Sequence, residues 1–245
     1  MAYNLTIDQG NTAAKIAIWK GTELVDLSIH SSLTEGVLAE CTGHYGTIDC
    51  AIFCSVARSA SRIDSMLRRF ANRVIHISSD MPLPITIGYG TPGTLGEDRI
   101  AASVGAWSLF PGHDILVVDA GTAVTYDYVT ASGHFAGGNI APGISMRLEA
   151  LHRFTARLPR LEAPRHIDDK AVFGNDTASA MILGAVYGIV GSVAWYRSKL
   201  PEGTRVVMTG GWARELSKLC DFEVEVDPDL ASKGLNRILL YNEDK

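Results

Sequence analysis

Two stretches decide the fold: Leu5-Thr-Ile-Asp8-Gln-Gly10-Asn-Thr12 and Ile115-Leu-Val-Val-Asp119-Ala-Gly121-Thr-Ala123. Each is a short apolar run ending in Asp-x-Gly. A second apolar run follows in both cases, Lys15-Ile-Ala-Ile-Trp19 and Val124-Thr-Tyr-Asp-Tyr-Val129, and each then reaches a glycine, Gly21 or Gly133. Short runs rich in β-branched and aromatic residues and bounded by glycine read as strands. The unit is therefore a hairpin with an acidic tip, and it occurs twice.

The two copies continue alike. Ala51-Ile-Phe-Cys54 and Arg205-Val-Val-Met208 read as buried strands, and Ile63–Phe70 and Ala213–Leu219 read as amphipathic helices. Val74-Ile-His-Ile77 and Val224-Glu-Val226 are placed to close two sheets. The expected organisation is two similar α/β lobes, 1–111 and 112–245, facing one another with the acidic tips at the cleft. No Pro-rich, Gly/Ser-rich or highly charged linker marks the boundary near Gly112, so tight packing of the lobes is expected.

A strand ending in Asp-x-Gly-x-Thr has a clear use. Glycine lets the backbone amides of the turn approach a phosphate, Thr or Asn adds donors, and the Asp can hold a cation or its waters. Alone, the first tip reads equally as an ordinary Asn/Gly hairpin turn. Two tips in equivalent places can hold a polyphosphate from opposite sides, a layout that resembles the actin, hexokinase and Hsp70 superfamily. That resemblance calls for a Gly-Gly nucleotide turn late in the second lobe, and Met208-Thr-Gly210-Gly211 follows its strand.

Competing phosphate loops fail. There is no G-x-x-x-x-G-K-[ST], and the protein-kinase Gly-rich loop, catalytic loop and Asp-Phe-Gly set is absent. Gly88-Tyr-Gly90-Thr-Pro-Gly93 does match G-x-G-x-x-G, but Pro92 interrupts the turn and no acidic residue stands about twenty positions on.

The segment from Gly88 through Gly96-Glu-Asp98-Arg99 joins glycine flexibility to an acid and a base before an expected helix, Ile100–Trp107. Arg99 can pair bidentately with a substrate carboxylate, and Asp98 can accept a proton from a hydroxyl. The plainer reading is that Asp98 caps the helix and Arg99 is solvated.

Asp8–Thr12, Gly96–Arg99, Asp119–Ala123, Gly137-Gly-Asn-Ile-Ala-Pro-Gly143 and Thr209-Gly-Gly211 occur in the order expected of the type III pantothenate kinases, which the chain resembles over its whole length. The resemblance implies two ribonuclease H-like lobes of the actin-like ATPase fold, with mixed sheets flanked by helices. It implies ATP-dependent phosphorylation of pantothenate to 4′-phosphopantothenate, the first step towards coenzyme A.

By the same resemblance Asp98 is the general base. Asp8, Gln9, Gly10, Asn11, Thr12, Ala13, Ala14 and Lys15 form the first phosphate loop, and Thr122, Gly210 and Gly211 also contact ATP. Tyr89, Gly96, Glu97, Asp98 and Arg99 bind pantothenate, with Glu97 at a position that varies in the family. Asp119 holds a monovalent cation, potassium or ammonium, and Mg²⁺ accompanies ATP. Thr177 reaches the pantothenate of a neighbouring subunit in a homodimer with shared active sites. The Gly137-Gly138 and Pro142-Gly143 turns border the active site, although Gly/Pro clusters also serve as plain loop punctuation.

Composition bounds the alternatives. A formal net charge of −5 and a pI near 5.8 disfavour a nucleic-acid binder. The N-terminus lacks the features of a secretory signal, and Cys41, Cys50, Cys54 and Cys220 form no C-x-x-C pair, so a cytoplasmic protein with free thiols and no zinc site is expected. Ala178–Tyr196 carries no charge and reads as a membrane span or as a packing helix whose Ala180, Gly184 and Gly188 admit a close neighbour within the chain or between subunits. Other readings are a different small-metabolite kinase of the same fold and a non-catalytic regulator like the Bvg accessory factor. Intact Asp8, Asp98 and Asp119 favour an enzyme.

Overall fold

The computed structural model describes residues 3–55, 60–164, 166–167 and 171–243. They form two compact units: the described residues of 1–112, 131–136 and 229–245, and those of 113–130 and 137–228. The first break falls at the Gly112 boundary. The division at 112 alone would assign the last helix and the 131–136 segment to the second lobe, but they pack with the first, for reasons given below.

In the first unit, β1 (Tyr3–Gln9), β2 (Ala14–Lys20) and β3 (Glu23–His30) form an antiparallel meander, and β4 (Ile48–Ser55) and β5 (Ala71–His76) run parallel to β1. The order is β3-β2-β1-β4-β5. Helices α1 (Glu35–Thr42) and α2 (Ala60–Leu67) supply apolar faces to the core around Leu5, Ile7, Ile16, Ile18 and Phe53. Strand β1 is central and covered on both faces, so Asn4 and Thr6 are buried as well as Leu5 and Ile7. The Thr6 hydroxyl accepts a hydrogen bond from the Trp19 indole at 2.9 Å, which satisfies both buried groups.

After the short β6 (Thr86–Ile87) and a 3₁₀ turn at Pro92–Thr94 comes α3 (Glu97–Leu109). It begins three residues before the expected helix, and it crosses α7 (Leu230–Glu243), which packs on β1. The crossing is backbone to backbone: a Cβ on Gly105 would lie 2.2 Å from the Leu230 carbonyl oxygen, and one on Gly234 would lie 1.8 Å from that of Ala101. This contact is why the last helix belongs with the first unit. Residues 131–136 belong there because Thr86 and Ile87 pair with His134 and Phe135.

The second unit repeats the plan. Strands β7 (Ile115–Ala120) and β8 (Ala123–Val129) form the hairpin, and β9 (His134–Pro142) follows β8. Then come α4 (Ile144–Arg153), α5 (Thr177–Arg197), β10 (Arg205–Thr209), α6 (Ala213–Ser217) and β11 (Glu225–Val226). β10 runs parallel to both β7 and β11, and the six-stranded sheet has the order β6-β9-β8-β7-β10-β11, in which β9-β8-β7-β10-β11 is the counterpart of the first sheet. The duplication therefore extends to topology. Gly21 and Gly133, with φ of 59° and 77°, supply the left-handed turn residue after the second strand of each copy.

One expectation is corrected. Gly137-Gly138 is not a turn but lies inside β9; only Gly143 stands at a corner, as the N-cap of α4. Of the α5 glycines, Gly188 faces a side chain of α4, where an added Cβ would meet the Arg147 guanidinium at 2.7 Å, while added Cβ atoms on Gly184 and Gly191 have nothing within 4 Å among the described residues. α5 is long and apolar enough to cross a membrane, but Met181, Val186, Ile189 and Val193 are buried in the core of its unit.

Candidate active site

The hairpin tips are built alike. At the first, the Gly10 amide donates to the Ala13 carbonyl at 3.0 Å; at the second, the Gly121 amide donates to Ala123 at 3.1 Å. The first tip is one residue longer: Gln9 pairs with Ala14, whereas Ala120 pairs with Val124. The added length brings Lys15 opposite Asp8, where the second tip has Thr125 opposite Asp119.

In the first unit the parallel pairing sets Asp8 beside Cys54. The Cys54 thiol donates to Asp8 Oδ1 at 3.4 Å. Burial pushes the Asp8 carboxyl above its ordinary value, and the Asp98 charge adds to this; the Cys54 hydrogen bond and the Lys15 ammonium oppose it. Asp8 and Asp98 therefore share one electrostatic neighbourhood. Lys15 Nζ also lies 3.7 Å from Asp229 Oδ1, just ahead of α7.

Asp98 occupies the first turn of α3, with Gly96 as the N-cap. Its Oδ1 accepts the Arg99 amide at 2.8 Å, so it serves an open backbone donor without being the cap. A Cβ on residue 96 would come within 2.6 Å of that oxygen, which is why glycine precedes the acidic pair. Arg99 is not the solvated residue of the plainer reading: it is 5% exposed. Its guanidinium carbon lies 5.6 Å from the Tyr89 ring centroid and 5.8 Å from that of Phe135, a cation–π arrangement. Glu97 uses both carboxylate oxygens within the unit: Oε2 accepts the Ser55 amide at 2.9 Å, and Oε1 lies 2.8 Å from His76 Nε2.

In the second unit Asp119 is the penultimate residue of β7, and its carboxylate fills space left by glycine. A Cβ on Gly210, whose φ is 89°, would lie 2.4 Å from Asp119 Oδ1, and one on Gly121 would lie 3.3 Å from it. Gly143 closes the same corner, donating its amide to the Thr122 carbonyl at 3.2 Å. Gly211, by contrast, has nothing within 4 Å of an added Cβ. Asp119, Gly121, Thr122, Gly143 and Gly210 thus converge. Among the described residues no group of three His, Cys, Asp or Glu could form a metal cage; the Asp119 carboxylate and the Ala120 carbonyl, which an added Cβ on Gly210 would meet, offer oxygens, the donor type that suits a hard cation.

Thr177 is the exposed first residue of α5, and the capping role falls to Asp176, which accepts the Ser179 amide at 2.7 Å. A cavity of about 550 Å³ in the first unit, lined by Trp19, Trp107, Asn236 and Arg237 among others, holds none of these motif residues.

Sequence reasoning missed Cys54, Ser55, His76 and Phe135. Cys54 was readable in principle, since a strand parallel to β1 and ending at the same level must set a residue beside Asp8. Phe135 carried no signal, because it reaches Arg99 through the β6–β9 pairing.

The family model described as type III pantothenate kinase matches residues 4–198. A type III pantothenate kinase of Porphyromonas gingivalis is 38% identical over 246 residues, covering 99% of this chain and 100% of that protein. Among solved structures, a conserved putative Baf family transcriptional activator from Campylobacter jejuni has a TM-score of 0.64 at 22% identity, covering 98% of this chain and 100% of that one. The activator of a 2-hydroxyisocaproyl-CoA dehydratase from Clostridium difficile, with bound ADPNP, has a TM-score of 0.58 at 15% identity, covering 99% and 94%. These two likenesses concern the fold, which is that of the actin-like ATPases. The full-length relationship decides the family: the chain belongs to the type III pantothenate kinases, ATP-dependent enzymes of coenzyme A biosynthesis.

Proposed function

We propose that Asp98 takes the proton from the pantothenate hydroxyl as its oxygen attacks the γ-phosphorus of ATP in line, giving 4′-phosphopantothenate and ADP without a covalent enzyme intermediate. The observation that carries this reading is the placement of Asp98 in the first turn of α3, beside Arg99 and in the electrostatic neighbourhood of Asp8. Arg99 takes the pantothenate carboxylate; a buried guanidinium beside two aromatic rings is already desolvated, which strengthens such a pair. Tyr89 and the Gly96–Arg99 turn complete the pantothenate contacts.

Asp8 to Lys15 and, in the second unit, Thr122, Gly210 and Gly211 are assigned to ATP. The Asp98 charge raises the cost of ionising Asp8, and Mg²⁺ suits such a pair of carboxylates, since it commonly binds one or two of them together with substrate phosphates. Asp119, among backbone oxygens, is assigned the monovalent cation, potassium or ammonium. When bound, the cations supply countercharge to the phosphates.

A homodimer with shared sites is the quaternary state we infer, with Thr177 reaching the neighbouring subunit's pantothenate. Its support is the face of α5 on which Gly184 and Gly191 look into open space and Trp195 is 57% exposed. A cytoplasmic location follows from this role.

A coupled ADP-release assay with ATP, Mg²⁺ and potassium, with and without pantothenate, tests the reaction. Turnover that needs pantothenate and yields 4′-phosphopantothenate by mass spectrometry is expected. Asp98→Asn should bind ATP normally but lose about 10²–10⁴-fold in kcat, and a near-wild-type kcat removes Asp98 from the base role.

A further inference from the structure

Glu97, the residue between Gly96 and Asp98 grouped above with the pantothenate contacts, takes no part in the proton transfer, and both oxygens of its side chain are engaged within the unit. Its Oε2 accepts the backbone amide of Ser55, the last residue of β4, at 2.9 Å. Its Oε1 lies 2.8 Å from Nε2 of His76, the last residue of β5. The His76 ring is itself fixed, stacked on Phe53 with centroids 4.5 Å apart and planes 7° from parallel. Phe53 is fully buried and pairs with His76 in the β4–β5 register.

One carboxylate thus joins the start of α3 to the ends of two adjacent strands. The N-cap of this helix is a glycine, with no side chain to return a hydrogen bond to that turn.

We propose that Glu97 is a positioning residue, acting with His76 as a strut that holds the first turn of α3 against β4 and β5 and so fixes Asp98 and Arg99. The inference rests on the assignment of Asp98 and Arg99 to the reaction. Geometry makes it consequential: a misplacement of about 1 Å at a reacting group costs about 10²-fold in rate. A direct contact of the Glu97 side chain with pantothenate would have to share oxygens already engaged by Ser55 and His76.

Glu97→Ala, His76→Ala and the double variant separate the two roles, with Glu97→Gln and His76→Gln as conservative forms that keep hydrogen-bonding atoms at the same positions. Two readouts are needed: kcat against KM for pantothenate, and ligand-free amide hydrogen exchange of the peptide covering residues 95–101. A strut predicts faster exchange and a kcat lower by about tenfold to a hundredfold in each Ala variant. The double variant should be no worse than the more affected single one, and the Gln variants should recover most of the loss.

The inference is overturned if His76→Ala exchanges and turns over like wild type, if the double loss is the product of the single losses, or if Glu97→Ala raises only KM. Hydrogen exchange needs no substrate, so the strut is decided by it even if Asp98→Asn keeps its kcat and the base assignment fails.

Discussion

The thiol of Cys54, at the end of β4, donates to Oδ1 of Asp8, at the end of β1, across 3.4 Å. It is the leading influence that favours the ionised form of a carboxyl otherwise pushed towards its protonated form by burial and by Asp98. The thiol is itself raised well above the ordinary cysteine range, by burial first and then by Asp8, so it remains a donor.

Cys54→Ala removes that donor and should raise the Asp8 carboxyl further. The acidic limb of the kcat/KM profile is expected to move to higher pH in Cys54→Ala and to stay near wild type in Cys54→Ser, which keeps a hydrogen-bond donor. A pH profile of Cys54→Ala that superimposes on wild type would show that Asp8 ionisation does not limit the reaction.

The same carboxyl makes a prediction about stability. Its folded value lies above the ordinary 3.8, so the fold favours the protonated form. The resulting stability is fully present below 3.8 and is lost as pH climbs through the raised value. Asp8→Asn carries no such proton. At pH 7 its Tm should equal or exceed that of wild type while activity falls, and the difference in Tm should shrink as pH approaches the unfolded-state aspartate range of about 4. A Tm at pH 7 well below wild type would contradict the sign.

What could be read from the sequence was local or duplicated. The tips at Asp8 and Asp119, the strands that follow them and the helix after Arg99 announce themselves by apolar runs and glycines within a few residues. The assignment of α7 to the first unit could not be read in this way. It depends on Gly105 meeting Gly234, two glycines that separately look like weak points in two helices. The strut from Glu97 was likewise hidden, because it needs the β4–β5 register to bring Ser55 and His76 to one level. Gly137-Gly138 misled for the opposite reason, since a Gly pair signals a turn although here it lies in a strand.

That helix crossing can be tested directly. On an exposed helix Gly→Ala gains about 1 kcal/mol, but at Gly234 the new methyl would sit 1.8 Å from the Ala101 carbonyl oxygen and 2.9 Å from the Gly105 nitrogen. Both are backbone atoms, so the helices must separate. Gly234→Ala should lose about 1–3 kcal/mol or more by denaturant titration. Stability equal to wild type would mean that α3 and α7 are not in backbone contact.

Gly210 probes the second unit. Substitution by Ala forces a side chain into a backbone with φ of 89° and directs its Cβ to 2.4 Å from Asp119 Oδ1. If Asp119 holds the monovalent cation, Gly210→Ala should raise the potassium concentration needed for half-maximal activity by about tenfold or more, a change equivalent to about 1.4 kcal/mol. An unchanged potassium titration in a folded variant would dissociate Asp119 from the cation.

The inferred dimer makes a quantitative prediction, because Asp98 and Thr177 of one chain would then serve different active sites. Asp98→Asn and a disabling Thr177→Tyr are each inactive as homodimers. In a mixed dimer, shared-site geometry puts both lesions in one site and leaves the other with an intact Asp98 and an intact Thr177. With free exchange about half the dimers are mixed, each with one working site of two, so activity should recover to about a quarter of wild type under two-fold symmetry. If each site instead draws Asp98 and Thr177 from the same chain, every site in the mixture carries one lesion and nothing is recovered. Native mass spectrometry that finds mixed dimers while activity stays at the level of the separate variants would therefore exclude the shared site.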